Sequence, residues 1–337
     1  MNASSASSRW KASLLIRASD KFPLRGWLKM TTSSHVISEW MDRIIGCILG
    51  GAIGDAMGGP YEGALPPVEM NDAEPWRLSD DTQLTLATCE AIALSGGVVE
   101  PSAIADNFAL WHQERRVTGM GASTYKALSE LARGGHWALV GRKGEYAAGN
   151  GAAVRAAPLA FCLDPTELAD RQKIRDVSRI THHSEEAYAG ALAVAAAVRA
   201  AAFGAWKGGG DLTYHVLRVL PDSAVKDRVQ ELAKLGAERP LAEIAQRYGA
   251  SGYVAESVPL ALYGAQKMER LGFEEMLKEL IRLGGDTDTI ASIAGQISGT
   301  YLGAGRLPEE LLSRVPEKSS IEGIARQFAE EATPDYF

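Results

Sequence analysis

The sequence predicts a single all-α domain, and three observations carry that prediction. Apolar residues recur at helical spacing almost throughout residues 38–337, and no stretch shows the strict alternation of a half-buried strand. Small residues dominate, with 52 alanines and 35 glycines, while aromatics make up 7% of the chain. That balance suits closely packed helices better than a β-sandwich, which draws on β-branched and aromatic residues. The connections are short and rich in Gly or Pro, as at Gly58-Gly59-Pro60, Gly96-Gly97, Gly134-Gly135, Gly208-Gly209-Gly210 and Gly284-Gly285. None has the length of an interdomain linker.

In chain order, residues 1–37 read as a disordered extension. They are Ser-rich, and residues 1–40 hold six Lys or Arg against two acids. An organellar transit peptide within residues 1–30 is the other reading of that composition; no apolar signal-peptide core is present, and the expected compartment is the cytoplasm. Helices are expected over 39–57, 82–95, 101–114, 122–132, 151–162, 167–178, 185–205, 211–218, 223–236, 240–247, 254–269, 273–283, 288–303 and 308–314. In the first, Gly46, Gly50, Gly54 and Gly58 recur every four residues and form a bare stripe that a neighbouring backbone can approach. In the helix after Glu185, Ala187, Ala191, Val194, Ala195, Val198 and Ala202 form a second smooth face.

Several function classes drop out early. With 35 basic and 42 acidic side chains the net charge is −7, which repels a phosphate backbone and argues against a nucleic-acid partner. The longest apolar run, Ile44 to Met57, is too short to span a bilayer and contains Asp55. Cys47, Cys89 and Cys162 are scattered, odd in number and set in apolar segments. They read as buried small hydrophobes in a reducing compartment, not as a disulfide framework or a zinc knuckle.

The sharpest chemical signal is a pair of short acidic motifs. Ser79-Asp80-Asp81-Thr82 precedes one apolar helix, and Gly284-Gly285-Asp286-Thr287-Asp288-Thr289 precedes another. Two readings stand side by side. Ser, Thr and Asp cap helix N-termini. Alternatively, the four aspartates meet in space, and their charge of −4 matches two divalent cations. Oxygen-only ligands select hard ions, Mg²⁺ or Mn²⁺. No His/Cys set has zinc spacing, and the Asp286 segment lacks the glycine and closing acid of an EF-hand.

The chain resembles the ADP-ribosylglycohydrolase family. The likeness runs from Asp42 to about Pro308. It rests on ordered motifs: Gly46-Cys47-Ile48-Leu49-Gly50 through Gly54-Asp55-Ala56-Met57-Gly58, then Tyr61-Glu62, Ser79–Thr82, Gly149-Asn150-Gly151 with Arg155, Thr181-His182, and Gly284–Thr289. The resemblance implies an orthogonal all-α fold with a dinuclear Mg²⁺ or Mn²⁺ centre. It assigns Ser79, Asp80, Asp81, Asp286, Asp288 and Thr289 as metal ligands, with Ser79 where relatives often carry Thr. It places Glu62 beside the metals on a mobile loop, in a catalytic or gating role. Gly149, Asn150 and Gly151 would line the ADP-ribose diphosphate and distal ribose. Arg155 would support the diphosphate or pair with an acid, Tyr146 would stack on the ligand, and His182 would face the substrate. Ala147 and Ala148 stand where some relatives have an acid.

The implied activity is hydrolysis of the N- or O-glycosidic bond that joins ADP-ribose to a modified protein or small-molecule acceptor, releasing ADP-ribose. A two-metal phosphoesterase acting on a nucleotide and a non-catalytic ADP-ribose-binding protein are the alternatives. The released product, ADP-ribose, AMP or nothing, separates the three.

Overall fold

A computed structural model describes residues 34–71 and 73–332. The expected extension therefore lies outside the described residues up to position 33, and the first helix, α1, already begins at Ser34 and runs to Gly58. The chain then forms α2 (Asp80–Leu94), α3 (Pro101–Gln113), α4 (Ala122–Leu131), α5 (Gly151–Val154), α6 (Leu159–Cys162) and α7 (Leu168–Arg179). After these come α8 (Glu185–Ala202), α9 (Leu212–Leu217), α10 (Ala224–Leu235), α11 (Leu241–Tyr248) and α12 (Val254–Ala265). The last are α13 (Met268–Leu271), α14 (Phe273–Ile281), α15 (Thr287–Leu302), α16 (Glu309–Arg314) and α17 (Lys318–Glu331). Among the described residues no helix is long and apolar enough to cross a membrane.

The glycine stripe of α1 explains how the centre is built. α1 and α15 run antiparallel, and their backbones touch at four successive turns. A Cβ on Gly46 would fall on the Gly299 carbonyl, one on Gly50 on the Gly295 carbonyl, and one on Gly54 on the Ala291 carbonyl. At Gly58 it would lie 2.6 Å from the Thr287 carbonyl oxygen and 2.7 Å from the Asp288 Cα. α15 returns the arrangement, since a Cβ on Gly295 or Gly299 would meet the Gly50 or Gly46 carbonyl. Only paired small residues admit an approach this close. The seam runs directly into the acidic motif at the start of α15.

α8 supplies the other smooth surface. Its alanines from Ala187 to Ala202 are all buried, and it packs against α5, α7, α9, α12 and α15. Ser184 caps it by accepting from the Ala187 N–H at 3.5 Å, and Arg199 near its end donates to the Ala160 and Leu163 carbonyls.

Four expectations change. The helix expected over 151–162 is two short ones, because Pro158 has no N–H to continue the first ladder and instead leads into α6. The helix expected over 254–269 ends at Ala265, and α13 follows after one turn. α17 is additional; its buried Ile321, Ala325 and Phe328 recur at helical spacing and pack on α1 and α2. A two-residue parallel pairing, β1 (Arg142–Lys143) with β2 (His182–His183), is too short to leave an alternation pattern in the sequence.

The α1–α15 seam sets a stability test. Gly50→Ala should destabilise the protein by more than about 2 kcal/mol, since overpacking costs typically 1–3 kcal/mol and here the obstacle is backbone. A Cβ added to Gly323 in α17 would meet nothing within 4 Å, so Gly323→Ala should stabilise by about 0.5–1 kcal/mol. Denaturant unfolding of the two variants checks both; a Gly50→Ala protein as stable as the parent would remove the backbone contact.

Candidate active site

The two acidic motifs meet. Ligand atoms of Asp81 and Asp288, together with Asp55 of α1, lie within 4.8 Å of one another, and those of Glu62, Asp286 and Asp288 do the same. Asp288 belongs to both sets and links them. Asp55 is the residue that sequence reasoning left out: it entered only as a charge in an apolar run and as part of the resemblance. A buried acid placed between Gly54 and Ala56 in that run was the available signal.

The local folding of each motif explains the meeting. Ser79 is extended and caps α2, its Oγ accepting from the Asp81 N–H at 3.2 Å. This serine fulfils the capping reading. Asp286 does not. It occupies the N-cap position of α15 without a side-chain capping bond, and its Oδ2 accepts from Asn150 Nδ2 at 2.5 Å. Gly284 and Gly285 both have positive φ, and a Cβ on either would meet a backbone carbonyl, of Ala64 or Ala250. Their contact carries the Glu62 loop with it, because the Gly63 N–H donates to the Gly285 carbonyl at 2.7 Å and the Gly285 N–H to the Ala64 carbonyl at 3.0 Å. Thr287 Oγ1 donates to the Gly58 carbonyl at 2.9 Å and locks the end of α1 to the start of α15. Asp288 Oδ1 accepts from the Thr289 N–H at 2.9 Å.

The remaining expected residues lie around this cluster. Asp80 is half-buried, with Oδ1 facing the Gly119 turn. Gly149, Asn150 and Gly151 border the cluster through the Asn150–Asp286 bond, and Asn150 Nδ2 also donates to Ser257 Oγ at 3.0 Å. The loop is braced from outside, the Asn150 N–H donating to the Gly252 carbonyl at 3.1 Å and the Val254 N–H to the Ala148 carbonyl at 3.0 Å. His182 is only 4% exposed and sits beneath the loop, where a Cβ on Gly149 or Gly151 would lie 3.2 Å from its ring. Arg155 is 1% exposed; it donates to the Gly151 carbonyl and, at 2.6 Å, to Thr181 Oγ1, which bonds His182 Nδ1 at 2.7 Å. Tyr146 is 81% exposed, with the Arg142 guanidinium 5.8 Å from its ring centroid.

Burial and mutual repulsion push the carboxyls upward. Asp288 rises to about 9, through burial first and then the charge of Asp286. Asp80 rises to about 7 through burial and Asp55, and the Arg155 guanidinium pulls it part of the way back. Asp81 goes well above the carboxylate range for the same reasons, with Asp288 its strongest neighbour, and Glu62 rises through burial and Asp286. His182 moves the opposite way, to about 3, because burial and Arg155 disfavour its charged form. Its imidazole is therefore neutral at physiological pH.

This set fits hard divalent cations. All its donor atoms are oxygens. Asp81 Oδ2 is buried and has no hydrogen-bond partner, an orphan that a cation would satisfy. Like charges forced together and raised in pKa are also what a cation between them relieves.

A pH dependence follows. An acid whose folded pKa exceeds its unfolded value binds more protons when folded, so it lowers stability as pH rises between the two values. For Asp288 that interval runs from the ordinary value of about 4 to about 9. His182 works in the opposite direction below about 6.5, since its folded value is depressed to about 3. The diagnostic window is thus pH 7 to 9. Chelated protein should lose melting temperature across it, and excess Mg²⁺ should remove most of that loss. A chelated melting temperature that is flat or rising from pH 7 to 9 would contradict the charge arrangement.

The sequence profile of the ADP-ribosylglycohydrolase family matches residues 37–336. Among characterised relatives, the chain is 27% identical to an ADP-ribosylarginine hydrolase Tri1 of Pseudomonas putida, over 91% of this chain and 83% of that one. It is 25% identical to the ADP-ribosyl-[dinitrogen reductase] glycohydrolase of Rhodospirillum rubrum, over 85% and 94% respectively. A solved structure described as an ADP-ribosylglycohydrolase-related protein complex superposes with a TM-score of 0.69 at 26% identity, covering 88% of this chain and all of that one. Both the extent of the profile match and the shared all-α architecture lead to one conclusion: the chain belongs to the ADP-ribosylglycohydrolase family and is an enzyme of the hydrolase class.

Proposed function

We propose that the protein hydrolyses the glycosidic bond between the distal ribose of ADP-ribose and an acceptor, with two divalent cations, Mg²⁺ or Mn²⁺, held in the acidic cluster. The observation that carries this reading is the meeting of two acid sets at Asp288, one of them containing the buried, unpartnered Asp81 Oδ2 and the other Glu62 and Asp286. Asp81, Asp286 and Asp288 would hold the ions, with Asp80, Ser79 and Thr289 at the edges of the set. When bound, such ions supply Lewis acidity toward the ribose hydroxyls and an activated water.

The chain's own groups account for the remaining chemistry. The bond from the anomeric carbon to the acceptor breaks, and a bond from that carbon to a water oxygen forms. Positive charge develops on the ribose ring as in other glycoside hydrolyses, and the surrounding carboxylates favour it. Glu62 is exposed on the loop pinned to Gly285, and its raised pKa suits it to take a proton from the attacking water and return it to the departing acceptor atom, which leaves protonated. The 149–151 loop approaches the diphosphate through its backbone, because Asn150 commits its side chain to Asp286 and Ser257. Tyr146 offers an exposed ring for stacking, and neutral His182 supports the loop from below. An ADP-ribosylated protein is the substrate class, and the named activity of the Pseudomonas relative makes an arginine-linked substrate the first to try.

Free ADP-ribose should be released from ADP-ribosylated arginine or serine peptides. Excess chelator should abolish the release, and Mg²⁺ or Mn²⁺ should restore it. Release of AMP instead would indicate phosphoester cleavage, and full turnover in chelator would end the metal reading.

Two substitutions separate ligand from acid–base roles. Asp288→Asn keeps the oxygen that accepts from the Thr289 N–H but removes a charge that both halves of the cluster share, so metal content and turnover should fall together. Glu62→Gln should retain the metal while turnover drops by roughly 10²–10⁴. Elemental analysis and ADP-ribose release, measured on both variants, decide between them; normal turnover in Glu62→Gln would take that residue out of the chemistry.

A further inference from the structure

Asp55 has a chemistry that neither its burial nor its sequence neighbours explain. It is wholly buried in the last turn of α1, beside Gly54 at the seam with α15. Its hydrogen-bond partners are all donors, and all come from the turn that opens α2. Oδ1 accepts from the Ser79 N–H at 3.2 Å and from Ser79 Oγ at 2.8 Å. Oδ2 accepts from the same Ser79 N–H at 3.1 Å and from the Thr82 N–H at 3.1 Å. Three hydrogens thus converge on the carboxylate, the Ser79 N–H being shared between its two oxygens.

Two consequences follow from these bonds. Both Asp55 oxygens are engaged by N–H or O–H donors, although the residue stands within 4.8 Å of Asp81 and Asp288. Asp81 is the reverse case, with a buried oxygen and no partner for it. The bonds to Asp55 also act at a distance of one residue. Ser79 Oγ–H donates to Asp55 and thereby turns its lone pair toward the Asp81 N–H, which it accepts at 3.2 Å. The amides of residues 79, 81 and 82 are therefore fixed from one carboxylate, and the two acids between Ser79 and Thr82 inherit their direction from it.

We infer that Asp55 is a positioning residue: it brackets the Ser79–Thr82 turn onto α1 and so aims Asp80 and Asp81 at the place where Asp286 and Asp288 arrive from α15. This inference rests on the proposal that the cluster holds divalent cations. The donors specify aspartate chemically. Asparagine would turn an NH₂ group onto at least one N–H or O–H, and glutamate would push its carboxylate one methylene further inside a fully buried position.

The test is Mn²⁺ binding to the full-length protein by titration calorimetry, for the wild type and for Asp55→Asn, with far-UV circular dichroism to confirm that each is folded. Asp55→Asn should bind the same number of ions as the wild type with an affinity about 10–100-fold lower, the usual loss when a group that orients metal ligands is changed. Wild-type affinity in folded Asp55→Asn would overturn the inference and leave the metal reading intact. Loss of one ion per chain, the others binding normally, would also overturn it, because Asp55 would then be a ligand. No Mn²⁺ binding by the wild type would overturn the metal reading and this inference with it. Should Asp55→Asn not fold, a crystal structure of the Mg²⁺-loaded wild type decides. Both Asp55 oxygens should keep Ser79 and Thr82 as partners, and an ion about 2.0–2.1 Å from either oxygen would overturn the proposal.

Discussion

The site depends on one contact, the backbone-to-backbone packing of α1 against α15. Antiparallel helices carrying ordinary side chains keep their axes about 8–10 Å apart. Here glycines at 46, 50, 54 and 58 face Gly299, Gly295, Ala291 and Thr287, and no side chain stands between the two main chains. The seam ends where the chemistry begins, with Gly58 against Asp288 and its carbonyl accepting from Thr287 Oγ1 at 2.9 Å. Asp55 rides on the same helix one turn earlier. Because α2 is fastened to Asp55 and the Glu62 loop to Gly285, two separate segments acquire their positions from a single helix pair. A side chain anywhere along that stripe would move the carboxylates as well as cost packing energy.

That construction assembles charge which would not assemble unaided. Asp55, Asp80, Asp81, Asp286 and Asp288 are drawn into one region, with Arg155 as the cation that offsets Asp80 and Asp81. Burial lowers the Arg155 guanidinium only to about 10, so it remains charged. One cation cannot balance five carboxylates, and the raised acids are the signature of the shortfall. The fold bears this because each helix that delivers an acid is held by apolar contacts elsewhere. The buried face of α15 runs on from Thr289 through Ile290, Ile293 and Ile297. Electrostatic strain at one end of these helices is thus offset along the rest of their length, an arrangement typical of sites built to receive a charged ligand.

The sequence carried the architecture better than its interruptions. Strong helical periodicity located most elements, and the glycine stripe announced the α1–α15 approach, because bare positions at a four-residue spacing have few other uses in a soluble helix. The breaks after Val154 and Ala265 were less visible, since the residues around Arg155 and Gln266 keep an apolar pattern whether or not the ladder continues. The pairing of Arg142–Lys143 with His182–His183 is two residues long, too short for any period. In the site, the paired acids at Ser79–Thr82 and Gly284–Thr289 were legible because they appear twice in one grammar. Asp55 was not, because its partners, the Ser79 and Thr82 N–H groups and the Ser79 hydroxyl, lie 24 and 27 residues away, beyond any local spacing. Asn150 was legible as a loop residue, but its attachment to Asp286, 136 positions on, was not.

The loop opposite the cluster shows the same economy in a different chemistry. Gly149 and Gly151 invite explanation by a ligand's approach, since glycine admits one closely. Yet each also faces His182, whose ring would stand 3.2 Å from an added Cβ. The glycines therefore close the loop onto an imidazole that burial keeps neutral, and the imidazole is in turn fixed through Thr181 to Arg155. Arg155 returns to the loop by donating to the Gly151 carbonyl. The circuit from loop to histidine to threonine to arginine and back leaves none of these side chains free to follow a substrate. It makes the loop a rigid wall whose backbone presents a fixed surface, while Asn150 fastens that wall to Asp286 and thus to the acids themselves. On the proposed reading, recognition of what lies beyond the distal ribose falls to exposed side chains outside the circuit, Tyr146 and Glu62.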